Sequence, residues 1–301
     1  MNIIRQKIFI PAIGATSLLV VALFGFSGLL KDGTTNTKYA DWMSSLDNNL
    51  SLREVNMPGS HDTMALYSIG DFAGQCQSLS LKDQLNLGVR FVDIRLKESG
   101  GELKACHGIV DQRATFKSIT RTIESFLDKH QNEFIMLSIK NEADDSNPNF
   151  EPTLSKYLNK DIYIKDRALP TKVGDIRGKV VLLSRYQNNT IGLDCYGGWR
   201  DSQSFTITDS NIYVQDTYKV TSKEQKQEEI VKCFNEAGHA LKINFLSAYR
   251  TDQFPPSYAV TTAKDINPWI NKEIDKYHDR GIVLYDFITA ANMDFFFKGL
   301  L

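Results

Sequence analysis

The stretch VNMPGSHDTMAL, residues 55–66, begins as a strand and then changes character. Val55 to Met57 favours a β-strand, and the proline-glycine pair that follows ends strands and turns the chain. The sequence therefore predicts that His61 and Asp62 follow directly after a strand, on a loop, where proteins commonly carry their chemistry. A lone histidine on a loop is more often structural, so the rest of the chain must supply partners for it.

From Tyr39 onward, short β-prone runs alternate with segments of helical periodicity. The β-prone runs are Glu54-Met57, Val89-Leu96, Leu103-Cys106, Phe134-Ile139, Lys179-Ser184, Ile212-Val214, Lys242-Leu246 and Gly281-Leu284. Helical patterns cover Phe116–His130, Thr221–Ala237 and Trp269–His278, while 160–170 and 187–208 are irregular. This alternation predicts an α/β protein with a distorted (β/α)8 TIM barrel. A doubly wound sheet is the main alternative, but no glycine-rich phosphate fingerprint follows any run.

Polar side chains follow most of these runs. They are His61 and Asp62, Asp93 and Arg95, His107, Lys140, Arg185, Asp216 and Tyr218, and Asp286. Asp93 and Arg95 are two residues apart, so their side chains share one face of a strand. Active-site groups of such barrels come from the C-terminal ends of the strands. We therefore expect these side chains to converge on one mouth of the barrel.

The residue types in this set suit attack on a phosphodiester. Two histidines, His61 and His107, can act as base and acid near neutral pH. Arginine and lysine hold anionic oxygens, and aspartates orient imidazole rings. The sequence places no dense set of carboxylates or histidines near the two histidines, so we predict neither a metal nor another cofactor.

Composition and charge narrow the class of protein. The chain of 301 residues allows one large α/β domain or two small ones. Its net charge is -1 and it has no basic patch, so the sequence gives no sign of nucleic-acid binding. The segment Ile8–Leu30 is uncharged and follows a basic N-terminus. We therefore predict that residues 1–33 are a signal peptide or a membrane anchor. We therefore expect a protein that is secreted or anchored on the outer face of the cell membrane. Its four cysteines fit no zinc spacing and leave disulfides and buried free thiols open.

An ordered series of motifs makes the chain resemble the bacterial phosphatidylinositol-specific phospholipase C family, of the phospholipase C X-domain type. The motifs are PGSHD, FVDIR, CHG, LSIKNE, LLSR, VQDTY and LYDF, and the similarity covers residues 40 to 295. The resemblance implies one distorted TIM-barrel domain over residues 34–301. It also implies metal-independent cleavage of phosphatidylinositol to diacylglycerol and inositol 1,2-cyclic phosphate, and leaves open whether glycosylated inositol lipid anchors are substrates too.

The resemblance also implies roles for the two histidines and their carboxylates. His61 matches the general base that removes the proton from the inositol 2-hydroxyl, and Asp286 matches the group that orients it. His107 matches the general acid that protonates the departing diacylglycerol oxygen, with Asp93 as its carboxylate partner. The attacking hydroxyl belongs to the same molecule as the phosphate, so the two reacting groups are already close together in the substrate.

The remaining roles concern the phosphate and the sugar. Arg95 matches the group that stabilises the developing phosphate charge, and Asp62 supports the arginine. The residues implied to bind inositol are Lys140, Arg185 and Asp216, with the ring of Tyr218 packed against the sugar. Calcium-dependent relatives carry an acidic residue and a metal where this chain has Arg95.

Two other functions are open on the sequence. A metal-dependent glycerophosphodiester phosphodiesterase would need acidic metal ligands near its first histidine, and Arg95 argues against it. A catalytically inactive inositol-lipid binding barrel is the other, although no catalytic residue is missing. The expected partner is phosphatidylinositol in a membrane surface, contacted transiently by a monomer through loops at the barrel rim. The apolar residues of these loops are Ile69, Phe72, Tyr249, Phe254, Pro255, Pro256 and Tyr258.

Overall fold

The computed structural model describes residues 36–70, 73–143, 146–252 and 257–301. The signal or anchor predicted at residues 1–33 lies outside the described residues and stays a prediction. Within the described ranges, no helix is both long and apolar enough to cross a membrane. All four cysteines are free and buried, which is one of the two alternatives left open by the sequence.

Fourteen strands and six α-helices make up the described part of the chain. The strands are β1 (Met57–Ser60), β2 (Phe91–Ser99), β3 (Glu102–His107), β4 (Val110–Thr115), β5 (Ile135–Asn141), β6 (Tyr163–Ile164), β7 (Val180–Arg185), β8 (Leu193–Asp194), β9 (Ser204–Ile207), β10 (Ile212–Gln215), β11 (Lys219–Val220), β12 (Leu241–Phe245), β13 (Tyr249–Arg250) and β14 (Ile282–Tyr285). The helices are α1 (Leu81–Leu87), α2 (Phe116–Lys129), α3 (Phe150–Ser155), α4 (Lys223–Phe234), α5 (Ala259–Glu273) and α6 (Ala290–Phe297).

The main sheet is curled and mostly parallel, in the order β6-β7-β5-β2-β1-β14-β12-β10-β9. Strand β1 lies in the middle and pairs in parallel with β14 on one side and β2 on the other. At one end of the sheet β9 runs antiparallel to β10. In the part of the chain that the structure describes, the end strands β6 and β9 do not pair with each other. The sheet is therefore an open, distorted barrel of the expected α/β class.

The run Leu103–Cys106, expected to be a parallel barrel strand, belongs instead to the antiparallel strand β3. It pairs back onto β2, with Leu96 opposite Ala105, and then onto β4. The cause is the connection, because only Gly100 and Gly101 separate β2 from β3, both with positive φ. A parallel crossover needs a dozen or more residues, so this run can only form a hairpin.

Strand β1 continues through the proline-glycine pair that was expected to end it. A Cβ atom on Gly59 would lie 2.9 Å from Leu284 Cγ and 3.0 Å from Phe91 Cβ, so only glycine permits this close approach of three strands. The chain turns at Asp62, which has a φ of 36°. His61 and Asp62 therefore do follow directly after a strand, at the C-terminal edge of the sheet.

Helix α2 lies where the sequence predicted it and α5 does not begin where expected. The Thr115 side chain caps α2 by accepting a hydrogen bond from the Ser118 N–H, and the predicted apolar face of the helix is buried. Helix α5 begins at Ala259, well before the predicted start at Trp269, and carries Pro268 in its interior. Proline usually ends a helix, which is why the sequence pattern gave the shorter segment.

Candidate active site

The C-terminal ends of the parallel strands surround a cavity of about 540 Å³. Eight of the predicted site residues line it: His61, Arg95, His107, Lys140, Arg185, Asp216, Tyr218 and Asp286. The other two, Asp62 and Asp93, are buried and pair with Arg95. The structure thus brings all of the predicted side chains together at one mouth of the barrel.

Both ring nitrogens of His61 are engaged. Nδ1 lies 2.7 Å from Asp286 Oδ1, and Nε2 lies 2.7 Å from Arg95 Nη2. A guanidinium can only donate, so Nε2 must accept, and the ring proton is on Nδ1, which donates to Asp286. His61 therefore holds an unprotonated Nε2 next to a fixed positive charge.

Burial and charge act in opposite directions on His61. Burial alone would lower the pKa of His61, but the Asp286 carboxylate, helped by Asp93, outweighs it and leaves the pKa raised. Arg95 pulls the pKa the other way. The imidazole can thus take up a proton in a nearly closed environment, since only 13% of its side chain is exposed.

Arg95 on β2 is surrounded by three carboxylates. Its guanidinium lies 3.5 Å from Asp62, 3.5 Å from Asp93 and 3.7 Å from Glu142. Burial by itself would lower the pKa of Arg95, but these carboxylates hold it well above its usual value. Glu142 was not among the predicted site residues, although its place in LSIKNE, two residues after Lys140, was the available signal.

His107 stands at the end of β3, on the hairpin rather than on a barrel strand. Its Nδ1 donates to the Gly74 carbonyl oxygen at 2.9 Å. The carboxylate that pairs with it is Asp62, whose Oδ2 is 3.6 Å from Nδ1. The expected pairing of His107 with Asp93 is therefore not the arrangement in the structure, because the hairpin carries His107 to the side of Asp62.

Asp93 instead pairs with two arginines. It lies 3.1 Å from Arg185 Nη1 and 3.5 Å from Arg95, and it accepts hydrogen bonds from Ser138 Oγ and the Asp62 N–H. Burial would raise the pKa of Asp93, but the two arginines hold it well below its usual range. Asp93 is thus a permanent negative charge that fixes both guanidinium groups.

Asp62 has the opposite character. It is 1% exposed, and neither of its carboxylate oxygens has a hydrogen-bond partner. Burial raises the pKa of Asp62, although Arg95 and His107 pull it down. A buried carboxylate without donors is costly, which marks Asp62 as a group held ready for a proton or a cation.

The far wall of the cavity is built around Trp199, which the sequence analysis did not single out. The Arg185 guanidinium lies 3.6 Å from the Trp199 ring centroid, and the indole Nε1 donates to Asp216 Oδ2 at 3.0 Å. On the same side, Lys140 Nζ lies 2.6 Å from Glu142 Oε2. Trp199 was missed because it lies in the irregular segment 187–208, where periodicity predicts nothing.

Tyr218 closes the wall with its ring rather than with a free hydroxyl. The hydroxyl is hydrogen-bonded to Asp201, and the ring centroid lies 5.8 Å from that of Tyr249. Burial and Asp201 raise the pKa of Tyr218 to about 12. The phenol therefore stays neutral at physiological pH, and its ring can pack against an apolar or sugar face.

Two groups of three side chains could hold a metal ion, judging from the described residues alone. They are His61, Cys76 and Asp286, and Asp62, Cys76 and His107, with ligand atoms within 4.8 Å of one another in each group. Both share the buried Cys76, and neither offers the set of oxygens that calcium or magnesium prefers. The cation of Arg95 opposes a second positive charge most strongly at the group that contains His61, since it lies 2.7 Å from His61 Nε2 and 3.5 Å from Asp62 Oδ2.

Some of the apolar side chains expected at the rim of the mouth are exposed. Ile69 is 56% exposed and Tyr258 is 37% exposed. Phe72 and the segment 254–256, also predicted for this rim, lie outside the described residues. Ile109, at the tip of the β3–β4 hairpin next to His107, is 89% exposed and was not predicted.

Comparison with known proteins gives consistent matches. A family model described as phosphatidylinositol-specific phospholipase C, X domain, matches residues 55–186. A 1-phosphatidylinositol phosphodiesterase of Listeria monocytogenes is 30% identical over 263 residues, covering 82% of this chain and 80% of that protein. The structure of the phosphatidylinositol-specific phospholipase C from Listeria monocytogenes has a TM-score of 0.72 at 26% identity, covering 86% of this chain and 98% of that one. A Staphylococcus aureus phospholipase C solved in work on its membrane binding has a TM-score of 0.73 at 24% identity, covering 86% and 98%.

Proposed function

Because this chain belongs to the bacterial phosphatidylinositol-specific phospholipase C X-domain family, we propose that it is a phosphatidylinositol phosphodiesterase that releases diacylglycerol and inositol 1,2-cyclic phosphate. The observation that carries the proposal is the state of His61. Its Nε2 is a free base that lies 2.7 Å from a guanidinium, in the cavity that also holds His107. Base, anion-binding group and acid are the three parts that transfer of a phosphodiester to an internal hydroxyl requires.

In the first step His61 Nε2 removes the proton of the inositol 2-hydroxyl, and that oxygen attacks the phosphorus of the same molecule. The imidazolium formed is stabilised by Asp286, which already accepts the Nδ1 proton. Bound substrate takes over the place that Arg95 Nη2 now occupies at Nε2. The guanidinium is then free to donate to a non-bridging phosphate oxygen, where charge develops.

His107 supplies the proton to the departing diacylglycerol oxygen. Its Nδ1 is fixed on the Gly74 carbonyl, so Nε2 is the nitrogen that delivers the proton. Asp62, whose Oδ2 lies 3.6 Å from Nδ1, places a buried carboxylate beside this ring. In this proposal Asp62, not Asp93, is the partner of the acid, and Asp93 orients Arg95 and Arg185.

The inositol ring is proposed to lie between the basic residues and the aromatic wall. Lys140 and Arg185 donate to inositol hydroxyls, and Asp216 accepts from them. Tyr218 packs its ring against the sugar, as its neutral and hydrogen-bonded state permits. Trp199 holds both Arg185 and Asp216 in position and so orders this part of the site.

Metal independence is part of the proposal and rests on Arg95. The guanidinium occupies the position beside His61 where a metal-dependent phosphodiesterase would place its cation, and three carboxylates already neutralise it. A metal-dependent glycerophosphodiester phosphodiesterase is the second candidate enzyme, and an inactive lipid-binding barrel is the candidate without catalysis. An assay on phosphatidylinositol vesicles with excess chelator separates all three.

Contact with a membrane and location outside the cell complete the proposal. The lipid substrate lies in a bilayer, Tyr258 lines the cavity, and Ile69, Ile109 and Tyr258 all expose apolar surface. We propose that a monomer docks transiently through this rim. The apolar segment at residues 1–33 would direct the domain at 34–301 out of the cytoplasm, as a cleaved signal or as an anchor.

The test is an assay on phosphatidylinositol vesicles with excess chelator, following the phosphorus products by NMR. We expect inositol 1,2-cyclic phosphate from the wild type, none from His61→Ala, and normal turnover by His130→Ala, which changes a histidine paired with Asp41 away from the cavity. Activity that requires a metal, or cleavage of glycerophosphodiesters instead, would favour the second enzyme class. Binding to the vesicles without product would favour the inactive barrel.

A further inference from the structure

Cys76 is a buried thiol held between the two halves of the site. It lines the cavity and is 1% exposed. Its backbone is tied at both ends, because its N–H donates to the Ala65 carbonyl at 2.9 Å and its carbonyl accepts from the Phe287 N–H at 2.7 Å. The main chain of Cys76 is therefore held in place, and its sulfur lies 3.9 Å from His107 Nδ1. The proposed phosphodiesterase chemistry gives this thiol no role.

The atoms around this sulfur have the spacing of a metal site. His107 Nδ1 lies 3.9 Å from Cys76 Sγ and 3.6 Å from Asp62 Oδ2, and all three atoms are within 4.8 Å of one another. Ligands bound tetrahedrally to zinc at roughly 2.0 to 2.3 Å are about 3.3 to 3.5 Å apart. His107 Nδ1 would thus approach the other two atoms by a few tenths of an ångström, and Cys76 Sγ would approach Asp62 by at most about 1.3 Å, to form a set of three ligands.

A second, independent observation points to a cation at the same place. Both carboxylate oxygens of Asp62 are buried without a hydrogen-bond donor. The nearest positive group, Arg95 Nε, is 3.5 Å away from Oδ2 and makes no hydrogen bond to it. A metal ion would supply the missing partner of this carboxylate.

We propose that Asp62, Cys76 and His107 bind a thiophilic divalent cation such as Zn²⁺, and that this binding inhibits the enzyme. The thiol of Cys76 gives one proton to solvent, and the Nδ1 proton of His107 moves to Nε2, so that sulfur and Nδ1 each have a lone pair for the metal. His107 then carries its only proton on a metal-bound ring and cannot deliver it readily to the leaving group. The inhibition, though not the binding, rests on the proposed function.

The ligand set selects soft cations over hard ones. Calcium and magnesium require six or more oxygen ligands, and Asp62 is the single carboxylate of the set. A thiolate and an imidazole suit zinc, cadmium and cobalt instead. In the related set of His61, Cys76 and Asp286 both ring nitrogens of His61 are hydrogen-bonded, to Asp286 and to Arg95. At His107 a metal displaces one hydrogen bond, from Nδ1 to the Gly74 carbonyl oxygen.

The test uses Co²⁺ as a spectroscopic probe on the purified protein, because cobalt bound to a thiolate gives a charge-transfer absorption that needs no catalysis. We expect this band in the wild type and in Cys233→Ser, which removes another buried free cysteine, on α4. Cys76→Ser should abolish the band and weaken Zn²⁺ binding by roughly tenfold or more. His107→Ala should reduce binding in the same way.

The catalytic readout is phosphatidylinositol cleavage, with each variant compared with its own metal-free rate. Zn²⁺ should inhibit the wild type and Cys233→Ser reversibly, with recovery on adding chelator, and should spare Cys76→Ser. A wild type without the cobalt-thiolate band, or a band that survives Cys76→Ser, overturns the proposal. Failure of the proposed function is a separate result, since it is seen as no cyclic phosphate in the metal-free sample.

Discussion

Replacement of Asp286 by Asn tests the pair on which the base depends. Asp286 Oδ1 and His61 Nδ1 are 2.7 Å apart, and two unit charges at that distance attract by about 6 kcal/mol at an effective dielectric constant of about 20. With the proton about half transferred in the transition state, roughly 3 kcal/mol of this attraction is in place. We therefore expect kcat/KM to fall about 150-fold, since about 1.4 kcal/mol corresponds to tenfold.

The pH profile of the same variant provides a second readout. His61 works as a base only when it is unprotonated, and Asp286 raises its pKa. Without the carboxylate, burial and Arg95 both lower the pKa of His61. The acid limb of kcat/KM should therefore move to lower pH while the maximal rate drops, a combination that simple unfolding does not produce.

The assay is cleavage of a water-soluble inositol phosphodiester with chelator present, which removes membrane binding from the result. Asp294→Asn is the matched control, because Asp294 is an exposed acid bonded to Lys38 and lies outside the cavity. A folded Asp286→Asn protein that keeps kcat/KM within about threefold of wild type, with the acid limb unmoved, would refute the argument.

Three further predictions concern the arginine, the aromatic wall and a buried lysine. Arg95→Lys removes the planar fork, so kcat should fall by about 10²-fold or more while KM changes little in steady-state assays. Trp199→Ala removes the ring over Arg185 and the donor to Asp216, so KM should rise roughly 30-fold, from a loss of about 2 kcal/mol in substrate binding. Burial lowers the pKa of Lys226 to about 8 from its unfolded value of 10.5. Between these two pKa values the unfolded chain binds more protons than the folded one. The free energy of unfolding of the wild type, measured with urea, should therefore rise by about 2 kcal/mol relative to that of Lys226→Met between pH 7.5 and pH 9.5.

Each of these has a result that contradicts it. Full activity of Arg95→Lys would mean that a point charge suffices and the fork is unimportant. An unchanged KM in Trp199→Ala would place the inositol elsewhere in the cavity. A stability difference between wild type and Lys226→Met that is flat with pH would mean that the lysine is not held at a lowered pKa.

Much of the fold was predictable because its central strands are short, apolar and end in polar residues. The run RFVDIRL is typical of a buried strand with alternate polar side chains, and Asp93 and Arg95 do pair with each other. The position of His61 after β1 was likewise predictable, and the hydrophobic pattern identified helix α2. These features depend on local chemistry, which a sequence records directly.

The rest depends on long-range geometry that no local pattern contains. Two glycines turn β3 back onto β2, and this hairpin brings His107 to Asp62 rather than to Asp93. Trp199 contributes through one ring in an irregular segment, which has no period to detect. A glycine pair after a strand is nevertheless a sequence signal for a hairpin, and Gly100-Gly101 is such a pair.

The unsatisfied carboxylate of Asp62 connects the proposed catalysis to the proposed inhibition. A carboxylate beside a general acid acts most strongly on it when no other group donates a hydrogen bond to that carboxylate. The carboxylate of Asp62 accordingly lies beside His107 without a hydrogen-bond donor. Because it has no hydrogen-bond donor, the same carboxylate can also bind a metal ion. Cys76 supplies the sulfur ligand of the proposed metal site. Removing Cys76 should thus separate the two properties, whereas removing Asp62 should damage both.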